Sequence, residues 1–99
     1  MKLRSKDLWA ALDQVAEECG LTASGLARAA GLDATTFNKS KRLKSDGSER
    51  WPSSSSIARV LAVADISFIE FAAKTEFAAA GKLKAPRQPR KAIPLGIDE

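Results

Sequence analysis

Apolar residues at helical spacing constrain the fold of this chain more than any other feature of its sequence. In the segment 7–19 they lie four, three and four positions apart, on one helical face: Leu8, Leu12, Val15 and Cys19. No segment before residue 81 alternates in the manner of a strand. Because 99 residues provide for one small core, we predict an all-α domain at residues 1–80 and a flexible basic linker or tail at 81–99.

Glycines and capping residues divide the domain into five predicted helices. Gly20 ends the first helix, Thr22 caps the second, and Gly31 ends the second in a left-handed turn. Asp33 is placed to cap the third helix, and Ser67 is placed to cap the fifth. The predicted helices lie at about 7–19, 22–30, 34–41, 57–64 and 68–79, with a loop at 42–56.

The composition excludes several functions. There is no histidine and one cysteine, Cys19, so the sequence offers no metal or haem ligand set, no internal disulfide and no usual general base. We interpret Cys19 as a small core residue and expect no enzyme activity, no cofactor and no small-molecule ligand. Neither a run of about 20 apolar residues nor an uninterrupted signal sequence occurs. We therefore expect a cytoplasmic protein with no membrane role.

Positive charge is concentrated in two segments of the chain. Residues 39–50 carry five lysines and arginines against two acidic residues, and residues 82–91 carry five without an acidic residue. Such clusters favour a polyanionic partner more than the net charge of +4 does.

The stretch "GLDATTFNKSKR", residues 31–42, combines one bulky apolar residue with hydroxyl, amide and cationic side chains. On a helix with Phe37 facing the core, the opposite face carries Thr35, Asn38, Lys39 and Arg42. Asn38 can pair with adenine in a DNA major groove, and Lys39 or Arg42 can reach guanine or a phosphate. An ordinary solvated basic helix is the alternative interpretation.

The longer stretch "LTASGLARAAGLDATTFNKS", residues 21–40, resembles the helix-turn-helix of the lambda-repressor-like, or xenobiotic-response-element (XRE), family of bacterial and phage regulators. The matching residues are Leu26-Ala27, Gly31, Leu32 and Phe37, and the later "ADISFIEF" resembles the start of the family's fifth helix. The resemblance implies a five-helix domain that binds double-stranded DNA in a sequence-specific manner and regulates transcription, usually as a repressor and at some promoters as an activator. We therefore expect the protein to be associated with the nucleoid. The chain departs from the family at Ala23, where glutamine is common, and at Ser40, where an aliphatic residue is usual.

The resemblance also implies roles for individual residues around the helix at 34–41. We expect the bases to be read by Thr35, Thr36, Asn38, Lys39 and Arg42. We expect the phosphates to be bound by Thr22, Ser24, Lys41, Lys44 and Arg50. For Trp51 we favour packing beneath the loop over stacking on a base.

Family members usually bind DNA as homodimers, and the fifth helix with Phe77, or the segment near Leu83, offers a contact. The stretch from Trp51 and the late "RKAIPLGI" also resemble the amino-terminal part of LexA-type self-cleaving repressors. That likeness implies that this chain corresponds only to the DNA-binding portion of such a repressor, since no residue matches the serine or lysine of the peptidase domain. A natural short protein fits the length equally well, and a further domain could supply the dimer contact.

Two functions of other kinds remain open. A protein-interaction or antitoxin-like adaptor could use the same helical fold, with the basic tail binding an acidic partner. Binding of single-stranded nucleic acid ranks last, because the chain has no tyrosine and we expect Phe37, Phe68 and Phe71 to face the core.

Overall fold

The computed structural model describes residues 3–81, in which the regular secondary structure is helical. Its elements are α1 (Ser5–Glu18), α2 (Ala23–Ala29), a 3₁₀ helix (Lys39–Lys41), α3 (Ser54–Ala64) and α4 (Phe68–Ala79). The predicted all-α class is confirmed for this part of the chain. The predicted basic tail lies outside the described residues.

Hydroxyl side chains cap three of the four helices. The hydroxyl oxygen of Thr22 accepts the Gly25 amide at 3.0 Å, and that of Ser67 accepts the Glu70 amide at 3.0 Å. Ser53 caps α3 in the same way, so this helix begins inside the serine run. The predicted caps at Thr22 and Ser67 are therefore confirmed, since each satisfies an amide that the first helical turn leaves unpaired.

The core lies between α1 and the helices that pack around it. α1 packs against α4 and α2, and α2 packs against α3. The largest fully buried side chains are Phe37, Leu12, Leu26, Val15 and Val60. Trp9 is also buried, and Cys19 packs at the edge of this core as predicted.

The segment 34–41 does not form the predicted continuous helix. Residues 34–37 form turns, Asn38 is extended (φ −63°, ψ 148°), and only Lys39–Lys41 close a 3₁₀ turn. The Lys41 amide donates to the Asn38 carbonyl, whereas in an α-helix it would donate to the Phe37 carbonyl. That carbonyl instead accepts the Arg42 guanidinium at 2.8 Å. Competition by side chains for backbone groups thus explains the missing helix.

Two aromatic side chains are more exposed than the sequence suggests. Phe68, expected on the inward face of the last helix, is 67% exposed, and Trp51, expected beneath the loop, is 50% exposed. Trp9 from α1 occupies the place beneath the loop, where its indole nitrogen donates to the Arg50 carbonyl at 2.8 Å. Among residues 3–81, no helix has both the length and the apolar character needed to cross a membrane.

Candidate nucleic-acid interface

Phe37 anchors the segment between α2 and the 3₁₀ helix. Its side chain is 1% exposed, and its ring meets that of Trp9 edge-on, with the ring centroids 6.3 Å apart. Burial of this ring keeps one side of the segment against the core, and its neighbours Thr35 and Lys39 are directed to the surface. The predicted orientation of Phe37 is confirmed even though the helix is not.

Asp33 organises the turn that precedes Phe37. One oxygen of its carboxylate accepts the Thr35 amide at 2.9 Å and the Thr35 hydroxyl at 2.7 Å. These bonds favour the ionised carboxylate, so the pKa of Asp33 is lowered, first by the Thr35 hydroxyl and then by the Thr35 amide. Asp33 was predicted to cap a helix. Its carboxylate does accept a backbone amide, but that amide belongs to a turn and not to a helix.

The hydroxyl protons of the two threonines already have partners. That of Thr35 is donated to the Asp33 carboxylate, and that of Thr36 to the Asp33 carbonyl at 2.7 Å. Each oxygen keeps lone pairs and each side chain keeps its methyl group. Towards a base, Thr35 and Thr36 therefore offer an acceptor for an amino group and an apolar contact for a thymine methyl.

Arg42 is held inside the protein. Its guanidinium donates to both carboxylate oxygens of Asp13, at 2.9 and 2.8 Å, and to the Phe37 carbonyl at 2.8 Å. It also lies over the Trp9 ring, 5.0 Å from the ring centroid, and the side chain is only 15% exposed. These bonds use three of the five guanidinium N–H groups, including both on Nη2, which a bidentate contact to guanine needs, so the geometry argues against the predicted base-reading role of Arg42. We call Asp13, Arg42 and Trp9 the Arg42 cluster.

The segment 42–50, which we call the basic loop, folds back on itself. The Arg50 amide donates to the Arg42 carbonyl at 3.1 Å, and the Lys44 amide to the Ser48 carbonyl at 2.8 Å. Asp46 accepts the amide and hydroxyl of Ser48 at the tip, and these two bonds lower the pKa of Asp46, the hydroxyl having the larger effect. The side chains of Lys44 and Arg50 are left on the surface.

The other predicted contact residues lie on two separate elements. Thr22 is exposed and Ser24 half-buried at the start of α2, where the Thr22 oxygen already accepts the Gly25 amide. Asn38 is half-buried, and Lys39 and Lys41 are exposed on the 3₁₀ turn. The structure thus brings 38–41 and the basic loop together through the Arg42 cluster, while Thr22 and Ser24 lie at the start of α2, outside this cluster.

Four cations on the 3₁₀ turn and the basic loop form no ion pair within the described residues, although the charge of Lys41 helps to lower the pKa of Asp33. Within residues 3–81, ion pairs join Arg42 to Asp13 and Lys74 to Glu18. Lys39, Lys41, Lys44 and Arg50 are exposed and take part in neither pair. Exposed cations that form no ion pair are the groups that bind a phosphate backbone, although Asp33, Asp46 and Glu49 are also exposed in this part of the chain.

A groove beside these cations was not anticipated from the sequence. Its volume is about 440 Å³, and its lining includes Arg4 and Lys6 from the start of α1, Lys39, and the Arg42 cluster. No local sequence pattern predicts that Asp13, Arg4 and Lys6 line a common groove with Lys39. Asp13 and its partner Arg42 are 29 positions apart in the sequence. Only the basic character of the first six residues hinted at it.

Comparison of the chain with protein families, with curated proteins and with solved structures finds no match. The resemblance to lambda-repressor-like regulators therefore stays a hypothesis carried by the residues alone.

Proposed function

We propose that this chain is a sequence-specific double-stranded DNA-binding regulator of transcription, and most simply a repressor. One observation carries this proposal: Phe37 is buried, and the 3₁₀ turn and basic loop that follow it carry four exposed cations that form no ion pair within residues 3–81, at positions 39, 41, 44 and 50. Phosphate contacts supply most of the affinity of such proteins and need unpaired cations. The proposal includes a lambda-repressor-like arrangement, in which the segment 34–41 takes the place of the recognition helix.

We assign the contacts according to the hydrogen-bonding groups and charges that each side chain does not use within the protein. Asn38 and Lys39 read base edges, and Thr35 and Thr36 contribute acceptor and methyl contacts. Lys41, Lys44 and Arg50 bind phosphates together with Thr22 and Ser24, and the groove adds Arg4 and Lys6. Arg42 positions the basic loop and does not touch the DNA.

A homodimer is part of the proposal. One domain of this size covers too little DNA for tight and selective binding, and two copies would occupy half-sites roughly 34 Å apart. The exposed side chain of Phe77 on α4 is available for such a contact.

Two substitutions separate base reading from phosphate binding. We expect Asn38→Ala to lose about 1–3 kcal/mol of discrimination at one base pair, with little change in affinity for unrelated duplexes. We expect Lys44→Ala to weaken all duplexes alike and to reduce the slope of log affinity against log salt by about 1. Ser40→Ala, at an exposed neighbouring position, serves as the control and should change neither quantity. Identical effects of the first two substitutions would refute the assignment.

A protein-interaction module is the second candidate, favoured by the exposed apolar side chains of Phe68 and Ile69. Titration of selected and scrambled duplexes at several salt concentrations distinguishes the two. A steep decline with salt and a preference for one sequence support DNA recognition. Weak binding without either property would favour the interaction module.

A further inference from the structure

An apolar groove lies on the side of the domain formed by the start of α1, by α3 and by α4. Its volume is about 350 Å³, and its lining includes Leu8, Ile57, Leu61, Phe68 and Phe71. This volume is at the lower end of the range of about 300–1,000 Å³ for ligand pockets. Phe68 at the groove is 67% exposed, so apolar surface remains uncovered within the described residues.

The chain carries a segment that matches this groove, outside the described residues. Residues 92–97 read "AIPLGI" and are preceded by the basic run 82–91. In an extended conformation Ile93, Leu95 and Ile97 project on the same side, because side chains alternate along an extended chain. Pro94 favours this conformation, since a proline restricts its own φ and disfavours helical geometry in the preceding residue.

The length of the intervening chain permits the segment to return to the groove. The described chain ends at Gly81, just after α4, and α4 with its 12 residues is about 18 Å long. The ten residues 82–91 span at most about 33–36 Å, so they can double back along the whole helix. Six extended residues cover about 20 Å, which matches the length of α4.

Charge also favours this path. Glu76 lines the groove in the last turns of α4, where a returning chain must pass. The basic run 82–91 would pass that carboxylate before the apolar residues reach Phe68. A short tether gives an effective concentration of about millimolar, so at micromolar protein the chain's own segment outcompetes a second copy.

We propose that residues 92–97 of the same chain dock in this groove, with Ile93, Leu95 and Ile97 against Phe68, Phe71 and Leu61. The docking is independent of the proposed DNA binding, because it uses different residues.

Spin labelling of the full chain tests the proposal. Cys19→Ala removes the native thiol, and Glu99→Cys carries a nitroxide beside the segment. We expect loss of methyl signal intensity at Leu8, Ile57 and Leu61, unchanged on dilution. In a mixture of labelled molecules with isotope-enriched, unlabelled ones, the enriched methyls should keep their intensity.

Two charge substitutions provide the matched comparison. Leu95→Asp should restore the methyl signals, whereas Gly96→Asp places the same charge on the other side of the segment and should leave the intensity loss in place. Neither position lies in the described core, so the domain should stay folded in both variants. Full methyl intensity in the parent, transfer of the effect between molecules, or equal behaviour of the two variants would overturn the proposal.

Discussion

At the scale of single residues, Phe37 and Arg42 fix the same short segment to the core by different interactions. Phe37 holds the segment to the core by apolar burial, and Arg42 holds it by hydrogen bonds from its guanidinium. The residues between them, 38–41, are thereby left at the surface, apart from the half-buried Asn38. The buried Phe37 ring and the largely buried Arg42 guanidinium thus hold a short polar segment at the surface without a regular α-helix.

We expect Phe37→Ala to lower the free energy of unfolding by about 3–5 kcal/mol, because the ring is fully buried and leaves a cavity. Urea denaturation followed by circular dichroism measures this change. Leu43→Ala is the control: its side chain is 55% exposed, so we expect a change of at most about 0.5 kcal/mol. Similar losses in the two variants would contradict the assignment of Phe37 as the anchor.

The turn at Asp33 should depend on pH. Its pKa in the folded protein is lowered from the usual 3.8, so its contribution to stability is present above that value and is lost as pH falls through the folded pKa. We expect the Thr35 amide resonance to titrate with a midpoint below 3.8. In Asp33→Asn this titration should vanish. A midpoint at or above 3.8 in the parent protein would contradict the hydrogen bonding described.

At the scale of elements, the basic loop depends on α1 for its position. The Arg42 cluster joins the first residue of the loop to Asp13, and the Trp9 indole bonds the carbonyl of its last residue, Arg50. Between these two ends the loop is held by its own backbone bonds. The position of Lys44 and Arg50 is therefore set by residues that are distant in sequence.

We expect Asp13→Asn to loosen the loop while α1 stays folded. Exposed ion pairs contribute about 0–1 kcal/mol and breaking a buried pair costs about 3–5. Since Arg42 is largely buried and Asp13 is 41% exposed, we expect an intermediate loss of about 1–3 kcal/mol. Hydrogen exchange of the Lys44 and Arg50 amides should accelerate, and Trp9 fluorescence should change.

The control for this substitution is Glu17→Gln on the exposed side of the same helix. It removes the same charge away from the loop and should leave the exchange rates of both amides unchanged. Equal acceleration in the two variants would mean that net charge, and not the Arg42 cluster, sets the stability of the loop.

At the scale of the whole molecule, a largely buried ion pair joins the end of α1 to α4. The Lys74 ammonium donates to both Glu18 carboxylate oxygens, at 2.7 and 2.8 Å, and both side chains are nearly buried. The Gln14 side chain donates to the same carboxylate at 3.1 Å. Removal of one partner would leave the other charge buried and uncompensated.

A double-mutant cycle tests this connection. We expect Glu18→Gln and Lys74→Met each to lower the free energy of unfolding by about 1–3 kcal/mol, between the values for an exposed and a fully buried pair. We expect the double variant to lose clearly less than the sum of the two, because it leaves no unpaired charge. Thermal and urea unfolding measure all four proteins, and additive losses would show that the two charges do not interact.

The helices of this protein follow from local sequence. Apolar residues at a period of 3.6 and hydroxyl residues in the cap position at Thr22 and Ser67 identify α1, α2, α3 and α4 to within a few residues. These signals are local because a cap or an amphipathic turn involves residues only three or four positions apart. The burial of Phe37 was predicted although the helix at 34–41 was not found, because Phe37 is the one bulky apolar side chain among polar neighbours.

Only the tertiary structure decided the conformation of 34–41 and the position of Arg42. The sequence predicted a helix there, but the Phe37 carbonyl bonds to Arg42, which Asp13 and Trp9 hold from a distant helix. It likewise decided that Trp9, and not Trp51, lies beneath the basic loop. No local pattern encodes such a pairing, because a contact between residues 29 or 41 positions apart exists only once the helices have packed.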